Sequence, residues 1–364
     1  MIKRNNATFT ARILVYLLYI FLLANVKEQD KLRLKYADSL SKEIRNGEVI
    51  QKLVGKVRFE QGETTIKCDS VIQFVNSGKY ALIGNVDIYD AEQSLRADTV
   101  LIFDKEEIQI ARGNVINSTT KDTTFADEIT YFQNENKVAS KGNVKIQNIK
   151  DNTTLTGDQA EYLRTDEIGK IWGRPNYVQY DSIGTETTRI IADTMELYGE
   201  NAKTIAQNNV KILQRNVSST CGRAEYLKSD EKIFLFEQPK IQQSNQQIKG
   251  DSIRLYLEDS KLKKADIMGN AVAVSDADSL NKGKWENRLT GQKMSLFFEE
   301  NKLIEVVIEN QATSIYHIIE DRKYKGANEI SGDRIMIEFA DSTATKIFVQ
   351  SNPDVATGKF LPPN

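Results

Sequence analysis

From residue 68 onward, apolar residues fall on every second position, and two short phrases recur. Nine segments open with a small residue, usually followed by Asp, and then alternate. They read CDSVIQF from Cys68, ADTVLIF from Ala97, ADEITYF from Ala126, GDQAEYL from Gly157, ADTMELY from Ala192, CGRAEYL from Cys221, GDSIRLY from Gly250, GQKMSLF from Gly291 and GDRIMIE from Gly332. Their starts lie 29, 29, 31, 35, 29, 29, 41 and 41 residues apart. A second phrase keeps step: GKVRF at Gly55, GNVDI at Gly84, GNVIN at Gly113 and GNVKI at Gly142, with weaker copies through SNPDV at Ser351. A period of two without a helical component predicts strands, each repeat reading strand, turn, strand, turn. The Gly or Asn of the second phrase suits a backbone with positive φ. Pro175, Pro239 and Pro353 share one column, which marks a strand start or a bulge because proline brings no N–H.

Two columns follow the small-Asp opening. The first is Val71, Val100, Ile129, Ala160, Met195, Ala224, Ile253, Met294 and Ile335; the second is Gln73, Ile102, Tyr131, Tyr162, Leu197, Tyr226, Leu255, Leu296 and Ile337. Residues two apart on a strand share a face, so both columns are expected to point inward. Val57, Val86, Val115, Val144 and Val210 join them from the second phrase, with Phe59, Ile88, Asn117, Ile146 and Ile212 two residues on. The predicted fold is all-β: an elongated, repetitive β-jellyroll or solenoid of stacked two-strand repeats around an apolar interior cleft.

Composition removes several function classes. Lys and Arg number 49 against 51 Asp and Glu, without the basic stripe of a nucleic-acid binder. One His and two Cys leave little for soft-metal or thiol chemistry. The Asp column (Asp69, Asp98, Asp127, Asp158, Asp193, Asp251, Asp333) reads as turn-satisfying carboxylates rather than a calcium or catalytic ladder. Cys68 and Cys221 occupy the small-residue position five repeats apart, roughly 24 Å at one ~4.8 Å strand spacing per repeat, beyond disulfide reach. No disulfide, metal, cofactor or catalytic residue is expected. His317 reads as a solvated loop residue, and Trp172 and Trp285 make no sugar platform alone.

Lys3, Arg4 and Arg12 lead into the apolar run Ile13–Ala24, about 12 residues against the roughly 20 a spanning helix needs. Residues 1–24 therefore read as a secretory signal peptide, with retention as a short anchor the competing reading. Residues 25–52 read as a linker or poorly repeated start, 53–358 as the repeat array and 359–364 as a tail. The polar stretches near 276–290 and 317–331 read as loops.

The alternating phrases, GDQAEYL and its kin with GNVKI and GRPNY, resemble the OstA-like family of lipopolysaccharide-transport β-jellyroll domains (the LptA, LptC and LptD N-terminal type, the periplasmic bridge members most of all). The resemblance runs roughly from Leu53 to Thr357. It implies a non-catalytic periplasmic bridge between inner and outer membranes that holds the acyl chains of lipopolysaccharide, or a similar amphiphile, in an apolar cleft. The cleft candidates are then Val71, Val86, Ile88, Val100, Ile102, Ile129, Tyr131, Val144, Ile146, Tyr162, Met195, Leu197 and Tyr226. It also implies end-to-end self-association and docking to inner- and outer-membrane transport proteins. The alternative is a closed structural or assembly solenoid of the envelope without a lipid ligand, since periodicity alone does not separate dry core from cleft. An enzyme on a parallel β-helix would need clustered acids in one groove, and no repeat is enriched that way.

Overall fold

A computed structural model describes residues 32–364 apart from 200–201, 259–260, 278–282, 301, 321–322, 341–342, 353–355 and 364. The segment read as a signal peptide or anchor, and Pro353, lie outside the described residues. Among the described residues the chain is strand and turn with no helix, as the period of two predicts. The strands divide between two units.

The N-terminal unit takes the described part of Arg12–Thr185 with Asp193–Ala202. It holds β1 (Arg33–Tyr36), β2 (Ser39–Arg45), β3 (Glu48–Gln61), β4 (Thr64–Phe74), β5 (Lys79–Tyr89) and β6 (Gln93–Phe103). β7 (Ile108–Thr119), β8 (Asp122–Phe132), β9 (Lys137–Asn148), β10 (Thr153–Leu163), β11 (Ile168–Trp172) and β12 (Asn176–Tyr180) follow. β13 (Glu186–Ile191) belongs to the other unit, and β14 (Thr194–Tyr198) completes this one. From β3 to β10 each strand pairs antiparallel with the next. β10 then pairs through its first half with β12 and through its second half with β11. β11 and β12 are thus two halves of one rung, parted at Gly173, Arg174 and Pro175, and the ladder runs in two layers.

The C-terminal unit takes Glu186–Ala192 with Lys203–Asn364. After β13 it holds β15 (Lys203–Gln214), β16 (Val217–Leu227), β17 (Lys232–Phe236), β18 (Lys240–Gln243), β19 (Gln246–Lys249) and β20 (Ser252–Glu258). Then come β21 (Lys261–Asp276), β22 (Glu286–Glu299), β23 (Lys302–Glu320), β24 (Lys323–Ala340), β25 (Thr343–Gln350) and β26 (Thr357–Leu361). β16 divides its pairing between β17 and β18, parted near Pro239, and β24 divides its own between β25 and β26.

Four sequence expectations are corrected. Most small-Asp phrases do not open strands: Asp69, Asp98 and Asp127 lie inside β4, β6 and β8, whereas those at Ala192 and Gly250 directly precede β14 and β20. Of the two readings of 25–52, linker or poorly repeated start, the described part is not a linker, because β1 and β2 both pair with β3. The stretch 317–331 is not a loop: His317 pairs with Ala327 inside the β23–β24 ladder, and near 276–290 strand runs to Asp276 and resumes at Glu286. The first 41-residue spacing comes from the 16-residue β21 and the connection from Asp276 to Glu286, and the second from the 19-residue β23. The tail is ordered to Leu361 through β26.

Candidate functional site

The two recurring phrases meet at one structural feature. Between β5 and β6 the register shifts after Ile83↔Thr99 and resumes at Val86↔Ala97, so Gly84 and Asn85 oppose the single Asp98. Such a bulge bends a strand and turns its halves relative to one another. Gly84 and Asn85 have φ of +78° and +46°, and the pattern repeats at Gly113–Asn114 and Gly142–Asn143. A Cβ on Gly113 would lie 2.2 Å from Asp98 Oδ2, so only glycine fits. The adjacent Asn is the side-chain-bearing residue type best suited to this backbone region. Its Nδ2 donates to the preceding strand's aspartate: Asn85 to Asp69 at 2.8 Å, Asn114 to Asp98 at 2.9 Å, Asn143 to Asp127 at 2.9 Å. Where Gly173–Arg174 replaces Gly–Asn, Arg174 bonds Asp158 at 3.0 Å instead. Where Gln292 replaces the aspartate, it donates to Gln311 at 3.4 Å. Asp69, Asp98 and Asp127 are corner clamps in mid-strand, a backbone-supporting role at a bulge rather than at a turn, while Asp193 and Asp251 stand just before β14 and β20.

Inward of the clamps a row of valines faces small residues: Val57–Cys68, Val86–Ala97, Val115–Ala126 and Val144–Gly157. A larger residue at the small position meets the next strand, as a Cβ on Gly157 would meet Ile171 at 2.7 Å. That explains Cys68, and Cys221 opposite Val210, as compact core residues. Both thiols are free and buried, and burial pushes them up to about 11. Each repeat adds two hydrogen-bonded strands, so one strand spacing per repeat was an underestimate.

Two further inward rows flank this corner in the N-terminal unit. One carries Val71, Leu82, Val100, Ala111 and Ile129 to Met195; the other carries Ile66, Ile88, Leu95, Asn117, Thr124, Ile146 and Leu155 to Tyr177. All nine members of the first predicted column are buried, Ile129, Met294 and Ile335 completely. Of the cleft candidates, Val71, Val86, Ile88, Val100, Ile129, Tyr131, Val144, Ile146, Met195 and Leu197 are buried, while Ile102, Tyr162 and Tyr226 are half-buried. All but Tyr226 share the interior of the N-terminal unit; Tyr226 lines the equivalent row of the C-terminal unit beside Ile233. There Ala224, Leu235, Ile253, Ile267, Met294, Ile308 and Ile335 form one unbroken apolar row.

The sequence reading missed the polar rims. The row that carries the second column sets Gln73, Tyr80, Ile102, Gln109 and Tyr131 side by side, and Gln73 Nε2 donates to Tyr80 Oη at 3.3 Å. The opposite rim sets Asp122, Asn148 and Thr153 on one rung. These residues stand in the same period-two register as the apolar columns, and that register was the signal available. His317 is half-buried in β23 with its Nδ1 3.2 Å from Tyr324 Oη, not a solvated loop residue. Trp285 stacks on Tyr324 with centroids 4.6 Å apart.

Two family models match. One, described as OstA-like protein, covers residues 29–131, and the other, described as LptA/(LptD N-terminal domain) LPS transport protein, covers 125–261. Residues 29–261 thus form an OstA-like region. No curated relative matches this chain. Among solved structures it is similar to LptH from Pseudomonas aeruginosa, titled the LptA homologous periplasmic component of the conserved lipopolysaccharide transport device. That match has 13% identity, covers 37% of this chain and 74% of the other, and has a TM-score of 0.20, so no residue correspondence is drawn. The matched models carry that assignment, and the OstA-like phrases they span are the corner clamps and inward rows described above.

Proposed function

We propose that this protein is a non-catalytic periplasmic carrier of lipopolysaccharide, sheltering acyl chains between its two strand layers. The observation that carries the reading is the buried inward rows, unbroken and apolar in the C-terminal unit and mostly apolar in the N-terminal one, joined to a match with lipopolysaccharide-transport families. The inward rows are buried, so the chains enter by parting the layers along their polar rims, where groups set free regain water. Each methylene buried contributes about 0.8 kcal/mol, so a few acyl chains outweigh the cost of parting. Successive rungs present similar side chains, which keeps neighbouring positions close in energy and suits sliding. The edge strands β2 and β25 each pair on one side only among the described residues and expose Leu40, Ile44, Ile347 and Phe348. Strand addition at these edges supports end-to-end association and docking to membrane-bound transport partners.

One observation favours the closed structural reading, namely the complete burial of Ile129, Met294 and Ile335. Displacement of a fluorescent acyl probe by purified lipopolysaccharide separates the two. Saturable displacement supports the carrier. A folded protein that binds no amphiphile supports the structural role.

A further inference from the structure

The apolar rows of the N-terminal unit do not reach the ends of the strands. Asp122, Asn148 and Thr153 face one another across β8, β9 and β10, and Tyr177 stands on the neighbouring inward row opposite Leu155. Asp122, Thr153 and Tyr177 are each only 2% exposed. One Asp122 oxygen accepts from Asn148 Nδ2 at 2.7 Å, and Asn148 Oδ1 accepts from the Asp151 amide at 2.7 Å. The second Asp122 oxygen, the Thr153 hydroxyl and the Tyr177 hydroxyl have no partner. Buried polar atoms are paired as a rule, and three unpaired ones on adjoining rows ask for a ligand. The Asp151 charge acts on both Asp122 and Tyr177, which puts the two on one patch. Two strands back, a small cleft with room for about one water molecule opens over the same pair of rows, between Ile88, Leu95, Asn117, Thr64 and Gln93.

We infer that the Asp122–Asn148–Thr153 rung with Tyr177 is a hydrogen-bonding subsite for a donor group, a hydroxyl or an ammonium, borne near the head of an acyl chain lying in the apolar rows. The inference rests on the carrier reading above. An ionised carboxylate only accepts, so Asp122 selects a donor, while the two hydroxyls adapt to either role. Phosphate is disfavoured here because Asp122 and Asp151 are both acidic, and Lys121 is the one cation acting on Asp122.

The test is competition against a fluorescent acyl probe on the full-length protein, with 3-hydroxytetradecanoate and tetradecanoate as competitors differing by one hydroxyl. The native protein should prefer the hydroxylated acid by about threefold to tenfold, the effect of one hydrogen bond. Thr153→Val and Tyr177→Phe, which keep shape and remove an unpaired hydroxyl, should together bring that preference near unity. Asp122→Asn should reduce the preference as well. Equal binding of both acids by the native protein would overturn the subsite and leave the carrier standing, as would a preference that survives all three substitutions. Binding of neither acid would overturn both.

Discussion

Replacing Gly113 by Ala probes the corner that turns one ladder into two layers. Gly113 has a φ of +77°, which costs a residue bearing a Cβ about 1–2 kcal/mol. The new Cβ would also stand 2.2 Å from Asp98 Oδ2, so the carboxylate must swing away. Swinging away breaks the 2.9 Å bond from Asn114, worth about 1 kcal/mol at an exposed position. Gly113→Ala should therefore destabilise by about 2–3 kcal/mol, and Asp98→Ala alone by about 1 kcal/mol. In the Asp98→Ala background the carboxylate and its bond are gone, while the new Cβ still meets the Cβ of residue 98 at 2.9 Å, so Gly113→Ala should then cost less than it does in the native protein but more than the backbone alone. Urea unfolding followed by far-ultraviolet circular dichroism on the four proteins measures all of these. Strict additivity of the two substitutions would refute a clamp in which the aspartate fills the space left by the glycine.

Ile129→Ala, at a completely buried position, should lose about 2–5 kcal/mol, and Ile102→Ala, half-buried, clearly less; equal losses in urea unfolding would contradict the inward assignment. Burial pushes Asp122 up to about 6 from 3.8, so the folded state favours its neutral form. Its burial therefore costs nothing below pH 3.8 and costs most above about 6, and Asp122→Asn should stabilise by about 1–3 kcal/mol at pH 7.5 and by little at pH 4. An unchanged difference between the two pH values would count against a buried ionised carboxylate. Cys68 and Cys221 should resist alkylation in the folded protein and react together on unfolding, with two thiols counted by mass after exposure to oxidant. A mass matching an internal disulfide would contradict this.

Fold class and inward faces were legible because the side-chain period of a strand is visible in sequence, and every residue from Val71 to Ile335 in the first column is buried as that period requires. The corner was legible only in part. Asp98 and Gly113–Asn114 stand out as repeated phrases, but their meeting is a long-range pairing, and Asp, Gly and Asn serve turns and bulges alike. The alternation on either side of Asp98 changes phase, with Leu95 and Ala97 inward before it and Val100 and Ile102 inward after it, which is the mark of a bulge rather than a strand start. The end of β23 and the start of β24 read as a loop because His317 to Ser331 carries charged residues on a strand pair where few apolar side chains reveal the period. The polar rim escaped because Asp122 belongs to no recurring phrase; only its register with Thr124 and Ala126 places it inside.

The carrier account is tested most directly by photocrosslinking in living cells, with the probe placed in turn at Ile102, Tyr131, Tyr162 and Leu197. Lys67 and Arg96, exposed on the outer face, serve as controls. The account predicts lipopolysaccharide adducts at the four inward positions and none at the controls. A folded, exported protein that gives no adduct at any inward position would mean that the rows are dry core, and the account would be wrong.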